Sequence, residues 1–226
     1  MRDLETQKFK PLSGYPLVMF DLDGTLVDSV PDIFSALQSA LDSVSMPRVT
    51  ESQCRNWVGN GAQVLVNRAL QRELVVTSEH PLLQSACSAF YAAYAQVNGK
   101  LSVLYDGAQA LLQSLKANGV CVAVVSNKPY EFALPLLASL GLEYDALWGG
   151  DSVPNKKPHP DMLQAAMAHF GVQPQECVLV GDSVNDFAAA RAAGCKSIAV
   201  SYGYNHGKPI DSNDADCIVD SLKELG

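Results

Sequence analysis

Two aspartates, Asp21 and Asp23, stand two positions apart in the run DLDGTLVDS, directly after the apolar stretch LVMF. Gly24 follows and allows a sharp turn, and Thr25 supplies a hydroxyl and a backbone N–H. A second polar run, SNK, spans Ser126 to Lys128 after the apolar stretch VCVAVV. A third, NKKPHPD, sets Lys156 and Lys157 ahead of a proline, and a fourth, GDSVND, places Asp182 and Asp186 on either side of a tight turn. Brought to one place, four carboxylates repel one another, so they need a cation or their pKa values rise until some are neutral. A hard divalent ion with oxygen ligands resolves that conflict, and magnesium prefers a few carboxylates together with waters and a substrate phosphate. A phosphoryl group carries about two negative charges, so a lysine and short donors must accompany the metal. Lys157 and Ser126 suit those roles, while Lys156 reads as a solvated neighbour.

Gathering these runs requires a particular scaffold. Short apolar runs predict strands at 17–20, 120–126, 177–182 and 196–201, with weaker candidates at 145–150 and 216–220. Between them lie helical patterns at 107–119, 130–141, 160–171 and 184–194, most of which stop at a glycine. This alternation predicts an α/β fold, a Rossmann-like doubly wound parallel sheet. The carboxyl ends of its strands share one edge, where ligands bind.

One region breaks the rhythm. From about 30 to 100 the patterns are helical, in DIFSALQSALDSV, NGAQVLVNRALQRELV and SEHPLLQSACSAFYAAYAQV, and no convincing strand is present. The expected organisation is an extension at 1–14, a core built from 15–28 and 101–226, and a helical insertion at 29–100. The linkers fall near Asp28–Val30 and Gly99–Tyr105, with Asp28 or Ser29 as an N-cap ahead of Pro31.

Bulk properties narrow the partners. The 226 residues are 48% hydrophobic and 18% charged, ordinary for a globular chain with a sizeable core. A net charge of -8 argues against nucleic acid, which demands clustered Lys and Arg. No apolar run approaches the roughly 20 residues of a membrane span, so no membrane partner is expected. The six cysteines form no C-x-x-C and no zinc spacing, and several sit in apolar runs. They point to reduced thiols and a cytoplasmic setting. A monomer and a homodimer are equally compatible with the chain.

DLDGTL, Ser126, Lys157 within KKPHP, and GDSVND occur in that order between about 17 and 190, and together they resemble the four-motif signature of the haloacid dehalogenase superfamily of phosphatases. The resemblance implies roles. Asp21 corresponds to the nucleophile that forms an aspartyl-phosphate, and Asp23 to the acid and base that serves the leaving oxygen and then water. Asp23 would also bind Mg2+ through its main-chain carbonyl. Asp182 corresponds to a direct metal ligand and Asp186 to a water-mediated one. Ser126 and Lys157 would hold phosphoryl oxygens, with Gly24, Thr25, Asn127 and Ser183 around them.

The inserted helices resemble the first cap class of the superfamily, which closes over the site and chooses the substrate. Within WVGNGAQVLVNRAL, Gly59 and Gly61 free the backbone, and the helix that follows offers its N-terminal N–H groups to an anion, with Arg68 as a second contact. This stretch and YGYNHGKPI (202–210) are similar to bacterial phosphoglycolate phosphatases, which hydrolyse 2-phosphoglycolate to glycolate. Other relatives fit less well. A dehalogenase lacks the second aspartate of the first motif, and a phosphonatase needs a cap lysine that residues 29–99 do not contain. A phosphosugar mutase, pyrophosphatase, sugar phosphatase or nucleotidase stays open. A non-catalytic binding protein is disfavoured by the complete set of motif residues.

Overall fold

The computed structural model describes residues 11–226. Residues 1–10, most of the expected extension, lie outside the described residues. The remainder of that extension belongs to the core, because Leu12–Gly14 forms a short turn that buries Leu12 against the sheet.

In chain order, β1 (Leu17–Phe20) leads through β2 (Val27–Asp28) into four helices: α1 (Val30–Ser43), α2 (Glu51–Trp57), α3 (Ala62–Gln71) and α4 (Leu83–Val97). The chain returns along β3 (Val103–Leu104), antiparallel to β2. It then alternates through α5 (Ala108–Ala117), β4 (Cys121–Val125), α6 (Tyr130–Ser139), β5 (Ala146–Trp148), α7 (Asp161–Phe170), β6 (Cys177–Gly181), α8 (Val184–Ala193), β7 (Lys196–Val200) and β8 (Cys217–Val219). Six strands form one parallel sheet in the order β5-β4-β1-β6-β7-β8. All six expected strands are present, including the two weak ones.

The pleat sorts β1 to two faces. Val18 and Phe20 pack with Leu111, Leu112 and Leu136 from α5 and α6. Leu17 and Met19 pack with Met162, Leu163 and Ala190 from α7 and α8. Helices therefore cover both faces, and β1 sits where the winding reverses between β4 and β6. The carboxyl ends of these three strands meet there, at the switch point where such sheets bind ligands.

The inserted helices build a separate apolar cluster. Ile33, Leu37 and Leu41 repeat at helical spacing along α1 and pack with Leu65, Val66, Phe90 and Tyr94. Truncating a residue such as Leu37, which is fully buried, to Ala costs about 2–5 kcal/mol in sites of this kind. Phe132 and Tyr204 join this cluster from the sheet-bearing part. Asp32, in the first turn of α1, accepts from the N–H groups of Gly99, Leu101 and Ser102 and from the Ser102 hydroxyl. The outgoing and returning linkers are thereby fastened together.

Two elements escape the sequence expectations. The β2–β3 pair has two residues per strand, too few to show a period. The short helix α2 has a local signal: Thr50 Oγ1 accepts from Gln53 N at 3.2 Å, and Gln53 Oε1 accepts from Thr50 N at 2.9 Å. T-x-x-Q is a capping box. Among the described residues, no helix is long and apolar enough to cross a membrane.

Candidate active site

Asp21 is the first residue beyond β1, and its N–H still bonds Val180 O on β6 at 2.9 Å. The sheet ladder thus sets the position of its carboxyl. Gly24 follows at φ +91°, and a Cβ there would lie 2.5 Å from Asp182 Oδ2, so the turn demands glycine. Lys157, 2% exposed, places Nζ 2.8 Å from Asp21 Oδ1 and 2.6 Å from Asp186 Oδ1, and donates to Val125 O at 2.7 Å. One ammonium therefore joins the ends of β1 and β4 to the first turn of α8.

Carboxylate oxygens of Asp21, Asp182 and Asp186 lie within 4.8 Å of one another, and all three residues are buried. Burial pushes the Asp21 carboxyl well above the usual range; Lys157 works against this, and Asp186 and Asp182 add to it. Burial and then the Asp186 charge push Asp182 up to about 7, against the Tyr204 N–H and the Thr25 hydroxyl. Burial tends to discharge Lys157, but Asp186 and Asp21 outweigh it and raise its pKa. Three converging buried carboxylates with one lysine leave an excess of negative charge. An all-oxygen set of this kind fits a hard divalent cation. Asp186 Oδ2 accepts from Ser183 N at 3.1 Å and Ser183 Oγ at 2.8 Å, while Oδ1 meets Lys157. With both oxygens engaged, Asp186 suits contact through a water.

The Asp23 side chain stands apart from this cluster. Its Oδ1 accepts from Ser29 Oγ at 2.5 Å and from Lys128 Nζ at 2.9 Å. Ser29 occupies the N-cap position of α1, but its side chain makes no capping bond. Ser29 thus stands at the expected N-cap position with its hydroxyl turned to Asp23, while Asp28 Oδ1 accepts from Val30 N at 3.4 Å. Lys128 had no role assigned from sequence. A signal was present, because a lysine just ahead of α6 faces the positive end of the helix dipole. Such a placement calls for an acceptor, and the Asp23 carboxyl supplies it.

Thr25 differs from expectation. Its hydroxyl donates to Asp182 Oδ1 at 3.1 Å, its N–H to Leu22 O at 3.3 Å, and the Gly24 N–H to Val27 O at 2.9 Å. Both residues serve the turn and Asp182, with no donor left for a phosphoryl oxygen. Arg68 differs as well. Its Nη1 donates to Trp57 O at 2.7 Å, so it braces the cap turn from behind and is not among the cavity-lining residues. Lys156 is half-buried beside Gly61, where a Cβ would meet Nζ at 2.7 Å.

The cap turn is held on the sheet-bearing part. Asn127 Nδ2 donates to Gly59 O and Lys157 O, both at 2.9 Å, and Asn185 Nδ2 donates to Gly59 O at 3.3 Å. Asn60 Nδ2 reaches Asn185 Oδ1 at 3.3 Å. Gly59 and Gly61 line the cavity, as do Ser126 and Asn127. The space open to water-sized molecules is about 50 Å³, lined by the polar Asp21, Asp23, Lys128 and Lys157 and the apolar Val58, Leu65, Phe90 and Tyr91.

Comparison with known proteins agrees with this geometry. The profile of the haloacid dehalogenase-like hydrolases matches residues 18–200. The chain belongs to that family. Haloacid dehalogenase-like relatives include a phosphoglycolate phosphatase of Vibrio vulnificus, 44% identical over 213 residues, covering 92% of this chain and 93% of its own length. One from Nitrosococcus oceani is 41% identical over 211 residues, covering 92% and 94%. A crystal structure described as a predicted phosphoglycolate phosphatase from Haemophilus somnus superposes with a TM-score of 0.86 at 34% identity, covering 94% of this chain and 96% of that one.

Proposed function

We propose that this haloacid dehalogenase-like hydrolase cleaves 2-phosphoglycolate to glycolate and phosphate, using Mg2+ and a covalent intermediate on Asp21. The observation that carries the chemistry is the division of labour between the two aspartates of DLDGT. Asp21 faces Lys157 and the acidic cluster, while Asp23 faces Ser29 and Lys128 at the cavity wall. The names of the Vibrio and Nitrosococcus relatives support the substrate.

Asp21, Asp182, the main-chain carbonyl of Asp23 and, through water, Asp186 would hold Mg2+, which neutralises phosphoryl oxygens when bound. Lys157 and Ser126 bind the remaining phosphoryl oxygens. A carboxylate oxygen of Asp21 attacks phosphorus, and the bond from phosphorus to the ester oxygen breaks. Asp23 gives its proton to the departing glycolate oxygen. Asp23, now ionised, takes a proton from water as that water attacks the aspartyl-phosphate, which releases phosphate and restores Asp21. The apolar cap walls keep other water out. All six cysteines are unpaired, in keeping with a cytoplasmic setting.

The test ranks kcat/KM for magnesium-dependent phosphate release across a panel of small phosphomonoesters. 2-Phosphoglycolate should lead the panel. A sugar phosphate or nucleotide well ahead of it would overturn the substrate, and phosphate release undiminished by EDTA would overturn the metal.

A further inference from the structure

We propose that Lys128 and Tyr94 form the subsite that reads the carboxylate of the substrate, an anionic group two bonds beyond the ester oxygen; this rests on the substrate reading above. Lys128 comes from the loop after β4 and Tyr94 from α4, so the subsite is completed only where cap meets sheet.

Position is the first argument. Asp23 serves the ester oxygen, so that oxygen lies within hydrogen-bond reach of the Asp23 carboxyl. In 2-phosphoglycolate the carboxylate carbon is two covalent bonds from the ester oxygen, which puts the carboxylate oxygens within roughly 3–4 Å of it. Lys128 Nζ is 2.9 Å from Asp23 Oδ1. It therefore stands where a two-carbon substrate carries its second anion.

Chemistry is the second. Lys128 lines the cavity with its side chain 4% exposed, and its Nζ lies 4.9 Å from the centroid of the Tyr94 ring. The Tyr94 residue is 2% exposed, and its hydroxyl sits beside this ammonium without a well-formed hydrogen bond to it or to any other protein group. A buried hydroxyl is ordinarily satisfied, so an unsatisfied one in a cavity wall marks a place for a polar ligand atom. The neighbouring wall is apolar, formed by Ile33, Leu65, Phe90 and Phe132. One ammonium and one hydroxyl in such a wall favour a small anion over a neutral polar group.

The cap turn, expected from sequence to take the carboxylate, is less suited. Gly59 turns its carbonyl toward the sheet-bearing part, where Asn127 and Asn185 hold it. A carbonyl so held offers a carboxylate no donor.

The experiment compares kcat/KM for 2-phosphoglycolate with that for ethyl phosphate, which has the same chain length without the carboxylate. Both leave as alkoxides and need the Asp23 proton, so a change acting only through Asp23 lowers both alike. Lys128→Met should lower the ratio of phosphoglycolate to ethyl phosphate roughly 10- to 100-fold, and Tyr94→Phe roughly 3- to 10-fold. Tyr94→Phe removes only the hydroxyl and keeps the ring, so it carries the test if Lys128→Met does not fold. A wild-type ratio retained in the folded variants overturns the subsite and leaves the substrate reading standing. A wild-type enzyme with no preference for 2-phosphoglycolate overturns the substrate reading, and the subsite with it.

Discussion

Tyr204 donates its backbone N–H to Asp182 Oδ2 at 2.7 Å, 22 positions along the chain. From the other side of the same residue, the hydroxyl donates to Asp28 Oδ1 at 2.8 Å and accepts from Ser29 N at 3.0 Å. Arg55 on α2 grips both Asp28 oxygens, at 3.0 and 3.1 Å, and lies 5.2 Å over the Tyr204 ring. A carboxylate of the acidic cluster, the outgoing linker and a cap helix are therefore tied through one tyrosine. Ser29, held at its N–H by Tyr204, also holds Asp23.

Arg55→Ala should weaken closure without unfolding the chain. The pair with Asp28 is partly exposed, so its loss costs little stability, about 1 kcal/mol or less. The closed arrangement of cap and linker should lose more. We expect kcat/KM for 2-phosphoglycolate to fall roughly 10-fold, mainly through KM, with Tm lower by only a few degrees. Steady-state kinetics beside a thermal melt reads this out, and wild-type kinetics would show the Arg55 contact to be dispensable.

Asp21→Asn should remove turnover while the fold survives. An amide does not attack phosphorus, and it relieves repulsion with Asp182 and Asp186. Phosphate release should drop at least roughly 1000-fold, with no acid-stable phosphoenzyme trapped. Activity near wild type in the purified variant would reject Asp21 as the nucleophile.

Asp23→Asn should discriminate by leaving group. Without its proton, esters that leave as alkoxides lose roughly 100- to 10000-fold in kcat. p-Nitrophenyl phosphate, whose leaving group needs little protonation, should lose far less. Equal losses on alkyl and nitrophenyl esters would mean that Asp23 shapes the site and does not protonate the product.

Metal binding should be linked to pH. In the folded metal-free chain Asp182 keeps its proton up to about pH 7, against a usual carboxylate value of 3.8. The folded state then binds more protons than the unfolded state across that window. Its contribution is fully present below the lower value and is lost as pH rises through the upper one. Each unit of pKa difference corresponds to about 1.4 kcal/mol. Mg2+ competes with that proton, so added Mg2+ should raise Tm by at least ~3 °C at pH 8 and by clearly less at pH 5. Melts with Mg2+ and with EDTA at the two pH values test it; equal shifts would separate Asp182 from the metal.

Gly61→Ala should lower activity on every substrate alike. The residue sits at φ +90°, a conformation an L side chain rarely adopts, and a Cβ there meets Lys156 Nζ at 2.7 Å. The turn that docks Gly59 on Asn127 would shift with it. Parallel losses on 2-phosphoglycolate and ethyl phosphate are expected, and a loss confined to 2-phosphoglycolate would return carboxylate reading to the cap turn.

The sequence by itself determined the layered α/β architecture, the helical insertion and the residues Asp21, Asp23, Ser126, Lys157, Asp182 and Asp186 as neighbours. Strand and helix periods are local, and in a parallel sheet every strand ends at the same edge, so residues just past β1, β4 and β6 converge there, while Lys157 is brought to them by the loop between β5 and α7. Only the tertiary structure decided which partner each donor takes. Thr25 serves Asp182 across 157 positions, Lys128 serves Asp23 across 105, and Tyr204 serves Asp28 across 176. Arg68 turns to a carbonyl 11 positions back instead of the cavity. These choices depend on how the cap rests on the sheet, which no local pattern encodes: a hydroxyl or an ammonium bonds whichever acceptor the closed fold puts within about 3 Å.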